Sequence, residues 1–269
     1  MYYEIVLKYN LLGGIKHFMI KTGLVSITFR KLSPDEIIDL VVKAGLDGIE
    51  WGGDIHVPHG DIAKAREVAQ KTRDAGLSVS SYGSYYYLGC EKEKNLPFEK
   101  VLESAVELKA PLIRVWAGNR ASSAADEDWW NICISDARRI SQMAQEQGIK
   151  IAFEYHANTL TDTSETAYRL LKETNHPNIY SYWQPPVGMA KDECIEGINK
   201  IIPWLTNIHV FQWIERVRRP LEEGINVWTE YMKVIKQVEG DRYCMIEFVK
   251  DDTPEQFLKD AEVLKKIVG

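Results

Sequence analysis

Ile149-Lys150-Ile151-Ala152-Phe153-Glu154-Tyr155-His156 alternates two kinds of side chain over eight residues, which is the period of a β-strand. Lys150, Ala152, Glu154 and His156 fall on one face, and Ile151, Phe153 and Tyr155 on the other. The run follows Gly148, where a helix is expected to stop. Seven further β-rich runs share this relation to longer amphipathic segments: 21–28, 48–51, 77–81, 111–116, 179–183, 206–211 and 242–248. Helix starts between and after them are marked by Ser33-Pro34-Asp35-Glu36, Thr163-Ser164-Glu165 and Thr253-Pro254-Glu255, and helix stops by Gly45 and Gly76. Eight strands each followed by a helix predict an α/β fold, a closed (β/α)8 TIM barrel of one domain. The rival open sheet lacks its glycine-rich turn after the first strand.

The bulk properties agree with one catalytic-size domain. The chain has 269 residues, 45% of them hydrophobic, which is enough apolar material for a large core. A formal net charge of −6 gives no general attraction to phosphate backbones or anionic lipid, so nucleic acid and membrane surfaces are disfavoured as partners. Cys90, Cys133, Cys194 and Cys244 are far apart and form no CxxC pair, which suits a reducing cytoplasm. No apolar run approaches the roughly 20 residues that span a bilayer. Residues 1–18 are less patterned than the rest, and Met19 directly precedes the first strand. We therefore read 1–18 as an extension upstream of the functional start and 19–269 as the barrel catalytic domain.

In such barrels chemistry collects at the C-terminal strand ends. The fifth run carries Glu154 there, the sixth ends at Tyr182-Trp183-Gln184, the seventh holds Ile208-His209-Val210, and the eighth holds Ile246-Glu247-Phe248. Each lies about one βα repeat from the next, so four adjacent strands present Glu154, Gln184, His209 and Glu247 around one point. Two carboxylates, an imidazole and an amide oxygen suit one divalent cation such as Mn, Mg, Co or Zn, and no thiolate is placed to select a softer metal. Both glutamates interrupt apolar runs, where a lone charge is costly to bury.

At these residues the chain resembles the sugar phosphate isomerase/epimerase family of the xylose isomerase-like TIM barrel superfamily. The resemblance runs from about Thr22 to the C-terminus and includes Asp47-Gly48-Ile49-Glu50-Trp51, Phe153-Glu154-Tyr155-His156 and the two later strand motifs. It implies that Glu154, His209 and Glu247 bind the metal and that Glu154 and Glu247 are the catalytic bases, moving a proton next to a carbonyl. The sixth strand departs from the family pattern: Gln184 stands where Asp is usual, and Val187 where His is usual. The implied function is a divalent-metal-dependent isomerase or epimerase of a sugar, sugar acid or polyol ketone. An inosose-type dehydratase on the same site and a non-catalytic sugar-binding barrel are the alternatives. A multi-zinc DNA-repair endonuclease of the superfamily needs more ligands than six histidines and an acidic balance supply.

Further residues are expected to bind a small carbohydrate substrate: His156, two past Glu154 on the same face; Trp116 and Trp51 at strand ends; His56 after the second strand; and Arg219, with Arg216 and Arg218, after the seventh. Trp213 at another strand end is a further candidate for packing on a sugar, and His59 for the mouth. Glu50 and Arg114 are placed to meet inside the barrel. A homo-oligomer is compatible with the sequence.

Overall fold

The computed structural model describes residues 18–269, so the expectation for the N-terminal extension lies outside the described residues except for Phe18. Ten strands are described: β1 Ile20–Val25, β2 Gly48–Gly52, β3 Ser78–Tyr87, β4 Leu112–Trp116, β5 Lys150–Phe153, β6 Ile179–Trp183, β7 Leu205–Val210, β8 Trp213–Ile214, β9 Val217–Arg218 and β10 Arg242–Ile246. The helices are α1 Pro34–Ala44, α2 Ile62–Asp74, α3 Glu91–Lys94, α4 Phe98–Leu108, α5 Glu127–Glu146, α6 Ser164–Thr174, α7 Lys191–Ile201, α8 Ile225–Ile235 and α9 Pro254–Val268. Eight parallel strands close in the order β1-β10-β7-β6-β5-β4-β3-β2, while β8 and β9 form a separate antiparallel hairpin. The chain is thus a single-domain TIM barrel.

Local chemistry sets the element ends. Ser33 caps α1 in a reciprocal box with Glu36, and Pro34 opens the helix with its φ already suited to it. Thr163 and Thr253 cap α6 and α9 through their side chains. Gly45, Gly76 and Gly148 all take positive φ where helices give way to strands. The third strand runs on to Tyr87 instead of ending near Ser81. Past Ser81 the strand continues through Gly83, a close-approach position where a Cβ would lie 2.7 Å from Arg114 Nη2. The β8–β9 hairpin and the short α3 carry no clear sequence signal.

Period-two alternation sorts side chains into two layers. Ile151, Phe153 and Tyr155 join the large apolar layer between strands and helices, with Ile49, Trp51, Val115, Trp183, Ile208 and Ile246. Ala152 lies in a smaller cluster with Val25, Leu112, Tyr182 and Met245. Each fully buried Leu, Ile, Val or Phe of these layers stabilises the fold by roughly 1.5–3 kcal/mol. The four cysteines are free and buried. No helix among the described residues is long and apolar enough to cross a membrane.

Candidate metal centre and cleft

Glu154 and Glu247 each sit one residue beyond a strand, but their backbones stay in the ladder. Glu154 N–H donates to the Val115 carbonyl at 2.9 Å and Glu247 N–H to the Val210 carbonyl at 3.0 Å. The Thr161 hydroxyl donates to the Glu154 carbonyl at 2.5 Å, and the Phe248 amide donates to Thr28 Oγ1 at 3.0 Å. His209 is held within β7, where it pairs with Met245 of β10. Gln184 follows β6 directly. All four expected residues therefore hang from adjacent strands at one end of the barrel.

Their side chains converge on His209 Nδ1. Gln184 Oε1 lies 3.0 Å from it, Glu247 Oε2 3.4 Å and Glu154 Oε1 3.9 Å. Ligand atoms of Glu154, His209 and Glu247 all lie within 4.8 Å of one another, and the three residues are 2%, 0% and 6% exposed. Two carboxylates so deeply buried need positive charge close by. Burial works to lower the His209 pKa, but the charges of Glu247 and Glu50 overcome it and push it up to about 9. Burial raises the Glu247 pKa, but the His209 charge outweighs it and leaves the carboxyl below its usual range. Three oxygens facing one imidazole nitrogen form a donor set that fits a hard or borderline divalent cation.

Beneath this centre the barrel interior holds a closed ionic lattice. Arg114 Nε donates to Glu50 Oε1 at 2.7 Å, while Arg114 Nη1 contacts Glu154 Oε2. Glu50 Oε2 accepts from Ser81 Oγ and from the Tyr182 hydroxyl, each at 2.7 Å, and Asn207 Nδ2 donates to that hydroxyl at 3.1 Å. Burial disfavours the charged form of Glu50, but the adjacent Arg114 guanidinium and His209 more than offset it, and the pKa falls well below the carboxylate range. Glu50 Oε1 also faces His209 Nε2 at 3.5 Å. The pairing of Glu50 and Arg114 expected from the sequence is therefore present.

Above the centre opens a cleft of about 460 Å³, with Glu154, Gln184 and Glu247 among its lining residues. That volume is within the range of small-molecule sites. Trp116 and His156 line it together, their rings stacked with centroids 4.1 Å apart. His156 Nδ1 lies 2.7 Å from the Ala157 carbonyl, which can only accept. The proton is therefore on Nδ1, and Nε2 keeps its lone pair. Burial lowers the His156 pKa, which favours the neutral ring.

Three expected substrate contacts lie elsewhere. Trp51 faces the helices, fully buried, with its indole N–H on Thr72 of α2, because it is one residue out of phase with inward-facing Glu50. His56 is 3% exposed and binds Ser26 Oγ through Nδ1 at 2.9 Å. Arg219 pairs with Glu223 at 2.8 Å on the loop, and its neighbour Arg216 is the arginine that lines the cleft. Arg218 pairs with Asp252, and His59 contacts the Ser84 carbonyl. Trp213 lines the cleft as well. Residues missed by sequence reasoning are Tyr85, Asn158 and Phe248, which line the cleft and, with Arg216, take positive φ. Of these only Asn carries a sequence signal for that conformation.

Comparison with known proteins agrees with this architecture. The profile described as xylose isomerase-like TIM barrel matches residues 38–267. A 3-dehydroshikimate dehydratase of Bacillus anthracis is 24% identical, over 91% of this chain and 96% of that protein. An inosose dehydratase of Bacillus velezensis is 21% identical, over 75% and 70% respectively. Among solved structures, a probable 3-DHS dehydratase from Bacillus anthracis superposes with a TM-score of 0.76 at 20% identity, covering 92% of this chain and 99% of that one. A D-psicose 3-epimerase from Clostridium cellulolyticum gives 0.70 at 14%, covering 92% and 98%. At these identities the structural likeness speaks for the fold alone.

Proposed function

Because the chain belongs to the xylose isomerase-like TIM barrel family, we propose that it is a divalent-metal-dependent enzyme that removes a carbon-bound proton beside a carbonyl of a small polyhydroxylated compound. Dehydration is the favoured outcome. The observation that carries the reading is the convergence of Glu154, Gln184, His209 and Glu247 at the floor of a cleft that also holds neutral His156. Glu154, Gln184, His209 and Glu247 would hold the cation. When bound, a divalent ion there polarises a carbonyl oxygen and lowers the pKa of the neighbouring C–H.

The chain's own groups do the rest. A carboxylate at the floor takes the carbon proton, a task that general-base catalysis accelerates by roughly 10²–10⁴-fold. His156 Nε2, with its lone pair free, accepts a hydrogen bond from a substrate hydroxyl in the ring plane, and Trp116 stacks on the face of the imidazole. Arg216 at the rim supplies a positive charge that favours an acidic substrate.

Isomerisation and epimerisation begin with the same proton removal as dehydration and differ from it in the second step. The names of the two curated relatives, both dehydratases, favour loss of water as that step. The test is to incubate the manganese-loaded protein in D2O with 3-dehydroshikimate, an inosose and D-fructose. Magnetic resonance would track deuterium entry, and ultraviolet absorbance the conjugated product. We expect exchange of one carbon-bound hydrogen and release of water from a ring ketone. A compound that binds in the cleft yet neither exchanges nor reacts would leave the sugar-binding barrel as the better account.

A further inference from the structure

We infer that the two carboxylates of the centre have unequal tasks: Arg114, anchored on Glu50, holds Glu154 as a fixed ligand, and Glu247 is the carboxylate that takes the proton. The inference rests on the reaction just proposed and decides which face of the substrate is used.

Each glutamate has one oxygen without a hydrogen-bond donor, and what separates the two is the group on the other oxygen. Glu154 Oε2 is engaged by Arg114 Nη1, and its backbone carbonyl is held by Thr161, so neither end of the residue is free to turn. Arg114 is itself immobile. Its Nε is 2.7 Å from Glu50 Oε1, and the other Glu50 oxygen accepts from both Ser81 and Tyr182. A Cβ at Gly83 would lie 2.7 Å from Arg114 Nη2 and 2.9 Å from Glu50 Oε1, so β3 leaves the pair no spare room. If Glu154 left Arg114 to reach a carbon atom, the buried Nη1 would lose its carboxylate and Glu50 alone would face the guanidinium. Glu247 has no such tie. Among the described residues only His209 Nδ1, 3.4 Å from Oε2, reaches its carboxylate, and Oε1 has no donor. Arg114, and Glu50 behind it, are thus positioning residues.

A single base on one face balances a dehydration. The C–H bond breaks, Glu247 Oε1 gains the proton, and the electron pair enters the carbonyl as an enolate. The pair then returns as the C–O bond of the β-hydroxyl breaks. The departing hydroxyl takes the proton back from Glu247 and leaves as water from the same face. With a ketose that does not eliminate, the same carboxylate returns a solvent-exchanged proton to the face it came from, because Glu154 stays on Arg114 and His156 Nε2 is taken by a substrate hydroxyl.

The test compares wild type, Arg114→Lys and Glu247→Gln at saturating manganese in D2O with 3-dehydroshikimate and D-fructose, and measures manganese affinity by calorimetry. Glu247→Gln should bind manganese and wash in no deuterium. Arg114→Lys keeps the charge but cannot serve Glu50 and Glu154 together, so manganese affinity should fall ~10–100-fold, with any remaining exchange confined to one face. Should Arg114→Lys fail to fold, Gly83→Ala displaces the guanidinium with both charges intact and reads the same affinity. Exchange surviving in Glu247→Gln, label entering both faces, or unchanged affinity when Arg114 is altered or displaced would overturn the inference. If wild type binds these compounds and exchanges nothing, it is the proposed reaction that fails, while the affinity measurement still tests the Arg114 clamp.

Discussion

The barrel interior holds two neighbouring groups of buried polar residues, each built around glutamate. On the side of β2, β3 and β4, Glu50, Ser81 and Arg114 satisfy one another: both oxygens of Glu50 have donors, and the guanidinium lies between two carboxylates. On the side of β5, β6, β7 and β10, Glu154, Gln184 and Glu247 turn oxygens toward a single imidazole nitrogen. One side is closed on itself as an ion-pair lattice, and the other is a set of acceptors that suits an added cation. Burial of charge alone therefore does not mark a site. What distinguishes the second side is an excess of acceptors over donors.

Opening the closed side should have the largest effect. Arg114→Met fills a similar volume without charge and leaves Glu50 and Glu154 buried and uncompensated, so it should cost about 3–5 kcal/mol of stability. Denaturant titration of the manganese-free protein checks this. A loss well under 1 kcal/mol would mean the lattice is looser than its geometry. On the open side the same logic runs in reverse, since Gln184→Asp replaces a neutral amide with an anionic oxygen beside the two carboxylates. Manganese affinity should rise on the order of tenfold. Calorimetry giving equal or weaker binding would remove Gln184 from the ligand set.

A smaller effect concerns protons. The charges of Glu247 and Glu50 push the His209 pKa up to about 9, which favours the protonated ring at pH 7, so a cation that takes Nδ1 must displace a proton. Manganese binding at pH 7 should release close to one proton, and well above pH 9 none. Titrations in buffers of different ionisation enthalpy measure this count. The same raised pKa stabilises the metal-stripped protein fully below the unfolded value near 6.5, and that contribution is lost as pH rises through about 9. A stability profile that is flat between those limits would contradict a charged His209.

Much of this was readable in the sequence because period-two alternation survives in every inward-facing pair that matters. Glu154 shares a face with Ala152, and Glu50 points away from Trp51, so the alternation that turns these glutamates inward also removes Trp51 from the cleft. Trp116 stays at the cleft because it shares its face with Arg114. Loops have no such period. Tyr85, Arg216 and Phe248 reach the cleft by taking left-handed backbone conformations that neither an aromatic ring nor an arginine announces. His56 and Arg219 illustrate the converse, since proximity to a strand end in sequence does not fix which way a loop side chain turns.

Whether the open side is a metal centre can be seen by anomalous diffraction from a manganese-soaked crystal. One peak is expected at roughly 2.0–2.4 Å from Glu154 Oε1, Gln184 Oε1, His209 Nδ1 and Glu247 Oε2. A peak bound by other residues, or no peak at saturating manganese with these four side chains ordered, would refute the metal centre.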